Sequence, residues 1–340
     1  MTDKTYDIII VGAGIVGATL ARELSAYALE IAVIDKAADI PSGASRANSA
    51  MIHAGYDDKP GSIKADFCAP GNRLYQELAG PLDITLRKCG SYVCGFDAKD
   101  LKHLEKLLDQ GKRNGVPGVE IITGDALRAK EPHVSAEIAH ALWAPSGCIV
   151  NNFEAVLAFM DNAQQNGVEL FLETELQDIV LSDDRKEVLG IRTNRGFMRT
   201  SVVINAAGIN SDLVAKMAGD DSFSIEPTRG EYYIMDKNVG NLVGSFFFPC
   251  PTEKGKGITV APTAENNLLI GPTSVVQKSR DDTSTSAEGL KEVVDGARLL
   301  VPAIPLGMAI TTFSGLRASS STKDFVLGVL DTPRGFVNVA

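Results

Sequence analysis

The sequence predicts an α/β fold of about two domains for this chain of 340 residues. Three observations near the N-terminus support this prediction. Residues 7–11 form an apolar, mostly β-branched run, which is typical of a strand buried in a parallel sheet. Residues 12–17 then read G-x-G-x-x-G, and apolar residues recur at helical spacing from 15 to 27. A second apolar strand, 30–34, ends at Asp35, so the order is that of a Rossmann-type dinucleotide-binding unit.

The glycines of this unit have distinct physical roles. Gly12 permits the tight turn after the strand, Gly14 leaves bare backbone beside a pyrophosphate, and Gly17 lets the helix pack closely on the strand. The helix N-terminus offers free N–H groups to phosphate, and a carboxylate at the end of the second strand can hydrogen-bond a ribose hydroxyl. The dinucleotide-binding residues predicted for this unit are Gly12, Gly14, Ile15, Val16, Gly17, Asp35 and Lys36.

Composition and charge limit the classes of function. Apolar residues make up 44% of the chain and charged residues 22%, as in soluble globular proteins. The formal net charge of −10 argues against nucleic acid as a partner and against binding to an anionic membrane surface. An anionic substrate stays compatible with this charge, because a few local arginines can dominate the potential inside a pocket.

The cysteines and histidines indicate neither disulfides nor a metal site. Five cysteines occur at wide spacing without a C-x-x-C pair, which suggests reduced, mostly buried thiols in a reducing compartment. The four histidines lack metal-ligand spacing to each other or to the cysteines. We see no signal peptide and no apolar run near the roughly 18 residues of a membrane span. We therefore expect a cytoplasmic protein without a metal or a transmembrane segment.

The rest of the chain alternates between helical and strand patterns. Apolar residues at helical spacing, bounded by caps, prolines or glycines, predict helices at 63–78, 97–114, 125–131, 153–166 and 287–300. Apolar or alternating runs predict a strand or bent hairpin at 84–96 and strands at 119–122, 139–143, 169–173, 175–176, 179–181, 188–193, 197–200, 202–208 and 229–235. Residues 255–263 and 267–272 predict a hairpin, and 335–339 a closing strand.

Two segments have the small residues that close contact with a ligand requires. Residues 41–56 are rich in glycine, serine and alanine, yet Ile52 and His53 make the segment less polar than a surface loop usually is. Residues 202–208 form an apolar strand that ends in small residues. A polar surface loop and a buried strand ended by glycine are the respective alternatives to a ligand-binding role.

Residues 43–56 read G-x-S-x-x-N-S-x-x-I-H-x-G-Y, and this pattern resembles the flavin-facing segment of the D-amino-acid-oxidase-like FAD superfamily. The first helix continues as Gly17-x-x-x-Ala21-x-x-Leu24, which is similar to the FAD version of the glycine fingerprint. The likeness is greatest to the branch of glycerol-3-phosphate dehydrogenases and L-2-hydroxyglutarate oxidases. It extends over nearly the whole chain, with the motifs in family order.

The resemblance implies FAD as the cofactor and a two-domain fold. A discontinuous FAD-binding domain would comprise residues 1–80, 145–221 and 310–340, and an α+β substrate domain built on a mixed sheet would comprise 81–144 and 222–309. The segment 202–208 would again pass close to FAD. The further FAD contacts that the resemblance implies are Gly43, Ala44, Ser45, Asn48, Ser49, Leu176, Ala206, Ala207, Gly208 and Gly315.

By this likeness the protein is an FAD-dependent dehydrogenase or oxidase that transfers a hydride from a small anionic alcohol to the flavin. Glycerol 3-phosphate and L-2-hydroxyglutarate are the best candidate substrates. His53 would lie near the isoalloxazine ring, where it is the candidate base for the hydroxyl proton. The alternative is a histidine that only hydrogen-bonds the flavin or a loop carbonyl.

Arginine can bind a carboxylate or phosphate through two parallel hydrogen bonds. Arg317 follows a Gly-Leu pair that resembles the substrate-arginine segment of the family, and Arg229 is a candidate second clamp. A structural ion pair is the alternative for either arginine. Tyr232 and Tyr233 alternate along a strand, so at most one faces the pocket. The candidate catalytic residues are His53, Arg317, Arg229 and Tyr232.

Other functions remain open at this point. Amine or amino-acid oxidation could use the same architecture, and a flavin monooxygenase also has a single FAD fingerprint. We see no Asp-Gly pair in a strand just before residues 205–208, where such monooxygenases usually have one, so that class ranks lower. A non-catalytic flavin-binding subunit is the third class. The electron acceptor would be oxygen, a quinone or an acceptor protein such as an iron–sulfur protein.

The closing strand at 335–339 is followed by one residue, Ala340. In the resembling family this strand leads into a glycine-containing loop and a final helix, whose N-terminus faces the flavin pyrimidine ring. Such a helix end would stabilise negative charge on the reduced flavin. We therefore expect a fragment of a longer protein that lacks its flavin-closing helix, with weak FAD binding and poor turnover.

Overall fold

A computed structural model describes residues 4–251 and 257–340 of the chain. Lys254 and Lys256, for which the sequence predicts solvated loop charges, lie outside these residues, as does the start of the predicted hairpin at 255. The helices are α1 (Ile15–Leu24), α2 (Gly43–Arg46), α3 (Ile63–Leu78), α4 (Ala98–Arg113), α5 (Gly124–Lys130), α6 (Asn152–Gln165), α7 (Ser211–Met217) and α8 (Ala287–Leu300).

The strands fall into four sheets within the described residues. The first half of the chain contains β1 (Thr5–Tyr6), β2 (Ile8–Val11), β3 (Ile31–Ile34), β4 (Met51–Ile52), β5 (Leu86–Lys88), β6 (Ser91–Gly95), β7 (Glu120–Thr123), β8 (His140–Ala144), β9 (Cys148–Val150) and β10 (Glu169–Phe171). The second half contains β11 (Leu176–Leu181), β12 (Val188–Thr193), β13 (Gly196–Thr200), β14 (Val203–Asn205), β15 (Ile225–Met235), β16 (Phe246–Pro249), β17 (Thr259–Pro262), β18 (Leu268–Gly271), β19 (Val275–Val276), β20 (Ala309–Ser320), β21 (Leu327–Val329) and β22 (Phe336–Val339).

A six-stranded sheet in the order β10-β3-β2-β14-β22-β21 forms the centre of the dinucleotide-binding unit. Its strands run parallel, apart from the antiparallel edge strand β21. Ile10 packs on one face of the sheet, in a core with Ala18 of α1 and Phe159 of α6. Ile9 packs on the other face with Val203. Burial on both faces explains why β2 reads as a continuous apolar run.

The second large sheet is mixed and has nine strands. Its order is β19-β15-β18-β17-β16-β6-β8-β7, and β20 pairs with β15. Val293, Ala297 and Leu300 of α8 lie in its main apolar core. Leu104 and Leu107 of α4 lie in a separate cluster that also includes Val93 and Leu142 of the sheet. The fold is therefore α/β with a mixed-sheet region, as predicted.

The longest ladder joins β15 and β20 in antiparallel register. It pairs Tyr232 with Phe313, Gly230 with Gly315 and Thr228 with Arg317. The sequence assigns 310–340 to the FAD-binding domain, whereas β20 lies in the mixed sheet and β21 and β22 lie in the parallel one. The domain boundaries themselves stay a prediction.

Several element predictions agree closely with the structure. Helices α3 and α8 have the predicted bounds. The Asn151 side chain caps α6 by accepting hydrogen bonds from the Phe153 and Glu154 N–H groups. Strands β17 and β18 pair antiparallel, which agrees with the predicted hairpin over the residues that the structure describes. No helix in residues 4–251 and 257–340 combines the length and apolar character needed to cross a bilayer.

Other element predictions were wrong in detail. Residues 84–96 form neither one strand nor a hairpin, because β5 pairs with β9 while β6 pairs with β8 and β16. Gly90 separates the two strands with a φ of +67°, and a Cβ there would overlap the Trp143 ring. The predicted strand at 202–208 ends at Asn205 and continues as a short 3₁₀ helix, Gly208–Asn210. The separate pieces at 175–176 and 179–181 form one irregular strand, β11.

Candidate flavin site

The turn from β2 into α1 is held closely against the end of β14. Gly12 has a φ of +107°, and a Cβ on this residue would overlap the Ala206 carbonyl oxygen. A Cβ on Gly17 would in turn overlap the Gly12 carbonyl oxygen. Both positions therefore require glycine for backbone packing, which agrees with the roles predicted from the fingerprint.

Asp35 at the end of β3 is held by the backbone of the glycine turn. Its Oδ2 accepts a hydrogen bond from the Ala13 N–H at 2.8 Å, and its Oδ1 accepts one from the Ala37 N–H at 2.9 Å. Each carboxylate oxygen has a further lone pair. The side chain is thus oriented, and it retains the capacity to accept hydrogen bonds from ribose hydroxyls.

The segment around α2 lies over the N-terminus of α1. Ser45 Oγ accepts a hydrogen bond from the Ile15 N–H at 2.9 Å, and a Cβ on Gly14 would come within 2.9 Å of the same oxygen. Asn152 Nδ2 donates to the carbonyl oxygens of Ser45 and Arg46 at 2.8 and 3.0 Å. The first turn of α6 therefore fixes the segment that the sequence singled out as flavin-facing.

These elements enclose a cavity of about 1500 Å³. Gly315 of β20 closes one side of it, and a Cβ on this residue would overlap the Ala47 carbonyl oxygen. The predicted cofactor residues that line the cavity are Gly12, Gly14, Ile15, Val16, Asp35, Lys36, Gly43, Ala44, Ser45, Asn48, Ser49, Leu176, Ala206, Ala207, Gly208 and Gly315. Gly17 is not among the lining residues, because it is buried against Gly12.

The lining fits a dinucleotide such as FAD. The cavity exceeds the roughly 300–1,000 Å³ of ordinary small-molecule sites, as a dinucleotide together with a substrate requires. Gly14 has no side chain to cap α1, and Ser45 takes up only the Ile15 N–H of the first turn, so other backbone donors of this turn remain for phosphate. Ser314 also lines the cavity, but its side chain alternates with Gly315 and lies on the face of β20 that it shares with Glu231. The fit to a dinucleotide therefore rests on the bare backbone at Gly14 and on the free N–H groups at the start of α1.

The predicted catalytic residues lie outside the set that lines this cavity. His53 follows β4, three residues after Ala50 of the lining, and its ring lies 6.0 Å from the Phe248 ring. The His53 side chain is exposed, and its carbonyl oxygen accepts a hydrogen bond from Asn72 Nδ2 at 3.1 Å. The structure thus places His53 beside the cavity wall rather than in it.

Tyr232 and Arg317 lie on one face of the β15–β20 ladder. The Tyr232 ring is buried and stacks on Phe313, with ring centroids 4.6 Å apart. Burial raises the pKa of Tyr232 to about 12, and the nearby positive charge of Arg317 partly opposes this rise. Tyr232 is therefore a neutral phenol at physiological pH. The Arg317 guanidinium is exposed and makes no ion pair or hydrogen bond within the described part of the chain.

Arg229 lies on the opposite face of the ladder, next to α8. Its guanidinium forms ion pairs with Glu231 and Asp282, both at 3.2 Å. Glu231 is fully buried and also accepts hydrogen bonds from the Ser286 N–H and hydroxyl groups. This environment corresponds to the structural ion pair that the sequence left as the alternative for Arg229.

Three residues of the site had no clear sequence signal. Asn152 anchors the α2 segment through its side-chain amide. Ser314 lines the cavity next to Gly315 in the chain. Arg280 lines the cavity and binds Asp212 through two hydrogen bonds, at 2.7 and 2.8 Å. Within the described ranges, no cluster of three or more histidine, cysteine or acidic side chains is arranged to hold a metal ion.

Comparison with known proteins agrees with this site. The chain is 41% identical over 335 residues to a glycerol 3-phosphate dehydrogenase of Caloramator mitchellensis, covering 98% of this chain and 69% of that protein. It is 27% identical over 306 residues to the mitochondrial L-2-hydroxyglutarate dehydrogenase of Bos taurus, covering 86% and 66%.

Among solved structures, an L-α-glycerophosphate oxidase of Mycoplasma pneumoniae with FAD bound superposes with a TM-score of 0.92 at 27% identity. The superposition covers 99% of this chain and 89% of that one. Residues 7–340 match the family described as DAO, FAD dependent oxidoreductase. The match covers the glycine turn, the α2 segment and β20 alike, and the chain therefore belongs to the DAO family of FAD-dependent oxidoreductases.

Proposed function

We propose that this enzyme oxidises a small anionic alcohol at bound FAD, with glycerol 3-phosphate as the first candidate substrate and L-2-hydroxyglutarate as the second. The relatives named above support both candidates, and the higher identity favours the first. FAD supplies the hydride acceptor when it is bound. The chain itself has to bind the anion, orient the carbinol and remove the hydroxyl proton.

The observation that carries this proposal is the position of Arg317. Residues 315 and 317 lie on the same face of β20, because side chains alternate along a strand. Gly315 lines the flavin cavity and contacts Ala47, so Arg317 lies one pleat further along the same face. Its guanidinium has no acidic partner among the described residues. An unpaired cation at this edge suits a phosphate or carboxylate group.

Two further residues have roles in the proposal. His53 accepts the hydroxyl proton, since imidazole is the side chain best suited to take up and release a proton near neutral pH. Tyr232, which stays protonated, stacks on Phe313 and supports the strand that presents Arg317. Asn72 holds the His53 backbone in place through its side-chain amide.

Anaerobic reduction of the bound flavin tests the function directly. The panel contains glycerol 3-phosphate, L-2-hydroxyglutarate, glycerol and several amino acids. We expect glycerol 3-phosphate to bleach the flavin absorbance fastest and uncharged glycerol to react far more slowly. Preferential reduction by an amino acid would replace the proposal with amine oxidation. Failure of every alcohol to reduce the flavin would contradict alcohol oxidation.

We further propose that the reduced enzyme passes its electrons to a quinone or an acceptor protein, and that it works in the cytoplasm. Cys89, Cys94, Cys148 and Cys250 are free thiols, which is consistent with a reducing compartment. Burial raises the pKa of Cys89 to about 12, so this thiol stays protonated. Turnover with a quinone analogue under argon, compared with oxygen consumption in air, tests the acceptor.

A further inference from the structure

A second, small cavity lies behind His53, on the side of α4. Its volume is about 40 Å³. The polar residues that line it are His53, Tyr56, Asp57 and His103. The remaining lining is mostly apolar, with Val93, Leu107, Phe248 and two prolines. The cavity therefore joins the proposed base to a second imidazole in otherwise apolar surroundings.

His103 has an unusual environment within this lining. Its Nε2 atom is buried and has no hydrogen-bond partner among residues 4–251 and 257–340. Buried polar atoms of side chains are rarely left in this state, and an ordered water is the common partner. A water occupies roughly 10–15 Å³ of such a cavity and needs two to four polar contacts. The volume thus accommodates at most about three or four waters among the four polar side chains.

The backbone that follows His53 is hydrogen-bonded to side chains at the C-terminal end of α4, the helix that bears His103. Gln110 of α4 donates hydrogen bonds to the Tyr56 and Asp57 carbonyl oxygens, both at 3.3 Å. Asn114, one turn further along, donates to the Gly55 and Asp58 carbonyl oxygens at 2.8 Å. The segment that bears His53 is therefore fastened along the same helix that bears His103.

The other titratable groups of the cavity are Tyr56 and Asp57. Tyr56 is buried and contacts Ser91 Oγ at 3.4 Å, and burial raises the pKa of its phenol well above the usual range. It therefore stays neutral. Asp57 is the carboxylate of the lining. The lining from β6 and β16 is apolar.

We propose that His103 and the waters of this cavity form the exit path for the proton that His53 takes from the substrate. His53 in its imidazolium form gives one proton to a cavity water, and that water passes one proton to Nε2 of His103. His103 then releases one proton to bulk solvent from the exposed part of its half-buried side chain. His103 is a positioning and relay residue, which acts through His53 and rests on the function proposed above.

The first test follows the histidines by NMR in FAD-free protein. The chain has four histidines, so labelled imidazole signals can be assigned by single substitutions. We expect His103→Phe, which fills the cavity and cannot titrate, to shift the midpoint of the His53 titration. His133→Gln removes an exposed imidazole outside the cavity and is the matched control. An unchanged His53 titration in folded His103→Phe overturns the proposal.

The second test separates a relay from a structural role. His103→Gln keeps a hydrogen-bonding side chain of similar size but cannot carry a proton at neutral pH. In the FAD-bound protein, we expect the substrate to reduce the flavin of both His103 variants roughly tenfold more slowly than that of the wild type, at unchanged KM. We also expect the rate of flavin reduction to depend less on pH in both variants. A wild-type pH profile in His103→Gln would assign His103 a structural role and overturn the relay. If no alcohol reduces the wild-type flavin, the proposed function fails, while the NMR titration still decides whether the histidines are coupled.

Discussion

Arg229 and Arg317 lie on the same pair of strands but in opposite environments. Arg229 is paired with the fully buried Glu231, and Arg317 has no partner among the described residues. A buried carboxylate that loses its partner destabilises the fold, whereas an exposed, unpaired cation contributes little to stability. The two arginines therefore allow one test with opposite expected results.

Replacing Arg317 with alanine tests the proposed anion site. We expect kcat/KM for the anionic alcohol to fall by roughly 30- to 1000-fold, since a charge-assisted contact with the substrate anion contributes about 2–4 kcal/mol. FAD content and thermal stability should stay near those of the wild type. Steady-state kinetics measure kcat/KM, the flavin-to-protein absorbance ratio measures FAD content, and thermal denaturation measures stability. Equal loss of FAD and activity would instead identify Arg317 as structural.

Arg229→Ala is the matched control for this experiment. It leaves Glu231 buried without its cation, and we expect the free energy of unfolding to fall by about 2–4 kcal/mol. Chemical denaturation measures this change. A stable Arg229→Ala protein with a large increase in KM would show that Arg229, too, binds the substrate.

Gly14→Val tests the glycine turn. The added side chain would begin 2.9 Å from Ser45 Oγ and would project where the backbone borders the cavity. We expect FAD binding to weaken roughly tenfold or more, because overpacking a rigid site costs about 1–3 kcal/mol. Gly71→Val in α3 is the control, since a Cβ there meets nothing within 4 Å. Equal flavin content in both proteins would contradict the assignment.

The residues that the sequence identified are those whose role depends on near neighbours in the chain. Gly12, Gly14 and Asp35 act within one strand–turn–helix–strand unit, so their spacing alone predicts their function. Asn152 could not be predicted in this way, because it bonds the Ser45 carbonyl oxygen 107 residues away. Ser314 is similar, since its significance comes from burial beside the cavity rather than from a local pattern.

At the scale of elements, periodicity predicted the type of most helices and strands but not their partners. The pattern at 84–96 reads as one extended unit, yet β5 and β6 lie in different sheets. Pairing depends on long-range burial, and here Trp143 fills the space beside Gly90 where the chain turns. Helix α8 was predictable to the residue, because its Ser286 cap and its apolar stripe are both local features.

An ion pair connects α7 to the loop after β19, and no local sequence pattern predicts it. Asp212 is almost fully buried, and Arg280 donates to both of its carboxylate oxygens. Arg280 also donates to the carbonyl oxygens of Ile209 and Ile225. This cluster ties the cavity wall at Ile209 to the start of β15, so it supports the shape of the flavin site.

The pKa of Asp212 predicts how this connection depends on pH. Burial raises the pKa, but the hydrogen bonds from Arg280 and the Ile225 N–H outweigh it and hold the pKa below its ordinary value of 3.8. Because the pKa of Asp212 is lower in the folded state, its carboxylate stabilises the folded protein fully at pH values above 3.8. This stabilisation is lost as the pH falls through the folded-state pKa. We expect the Asp212→Asn protein to be less stable at pH 7 by about 1–3 kcal/mol and to lose less stability than the wild type below pH ~4.

Denaturant unfolding between pH 7 and pH 3 measures this difference. Asp125→Asn is the control, because Asp125 forms an exposed ion pair with Arg128 that contributes little to stability. Parallel pH curves for the wild type and Asp212→Asn would show that Asp212 does not titrate differently in the folded protein.

At the scale of the whole molecule, the flavin cavity is shared by the two large sheets. The β2–α1 turn and residues 206–208 come from the parallel sheet, whereas Gly315 and Ser314 come from β20 of the mixed sheet. A ligand that contacts both sides stabilises them together, because it binds only when both are folded. The cavity thus couples the stability of regions that are far apart in the sequence.

This arrangement predicts that FAD shifts thermal unfolding as a single transition. At an FAD concentration 100-fold above Kd, mass action adds about 2.7 kcal/mol to the free energy of unfolding of every region that the site requires. Circular dichroism reports the loss of secondary structure, and flavin fluorescence reports the release of FAD. We expect the two midpoints to coincide and to rise together with FAD concentration, and we expect Gly14→Val to show a much smaller rise. Two separate transitions, of which only one responds to FAD, would show that the mixed sheet folds independently and contributes little to holding the flavin.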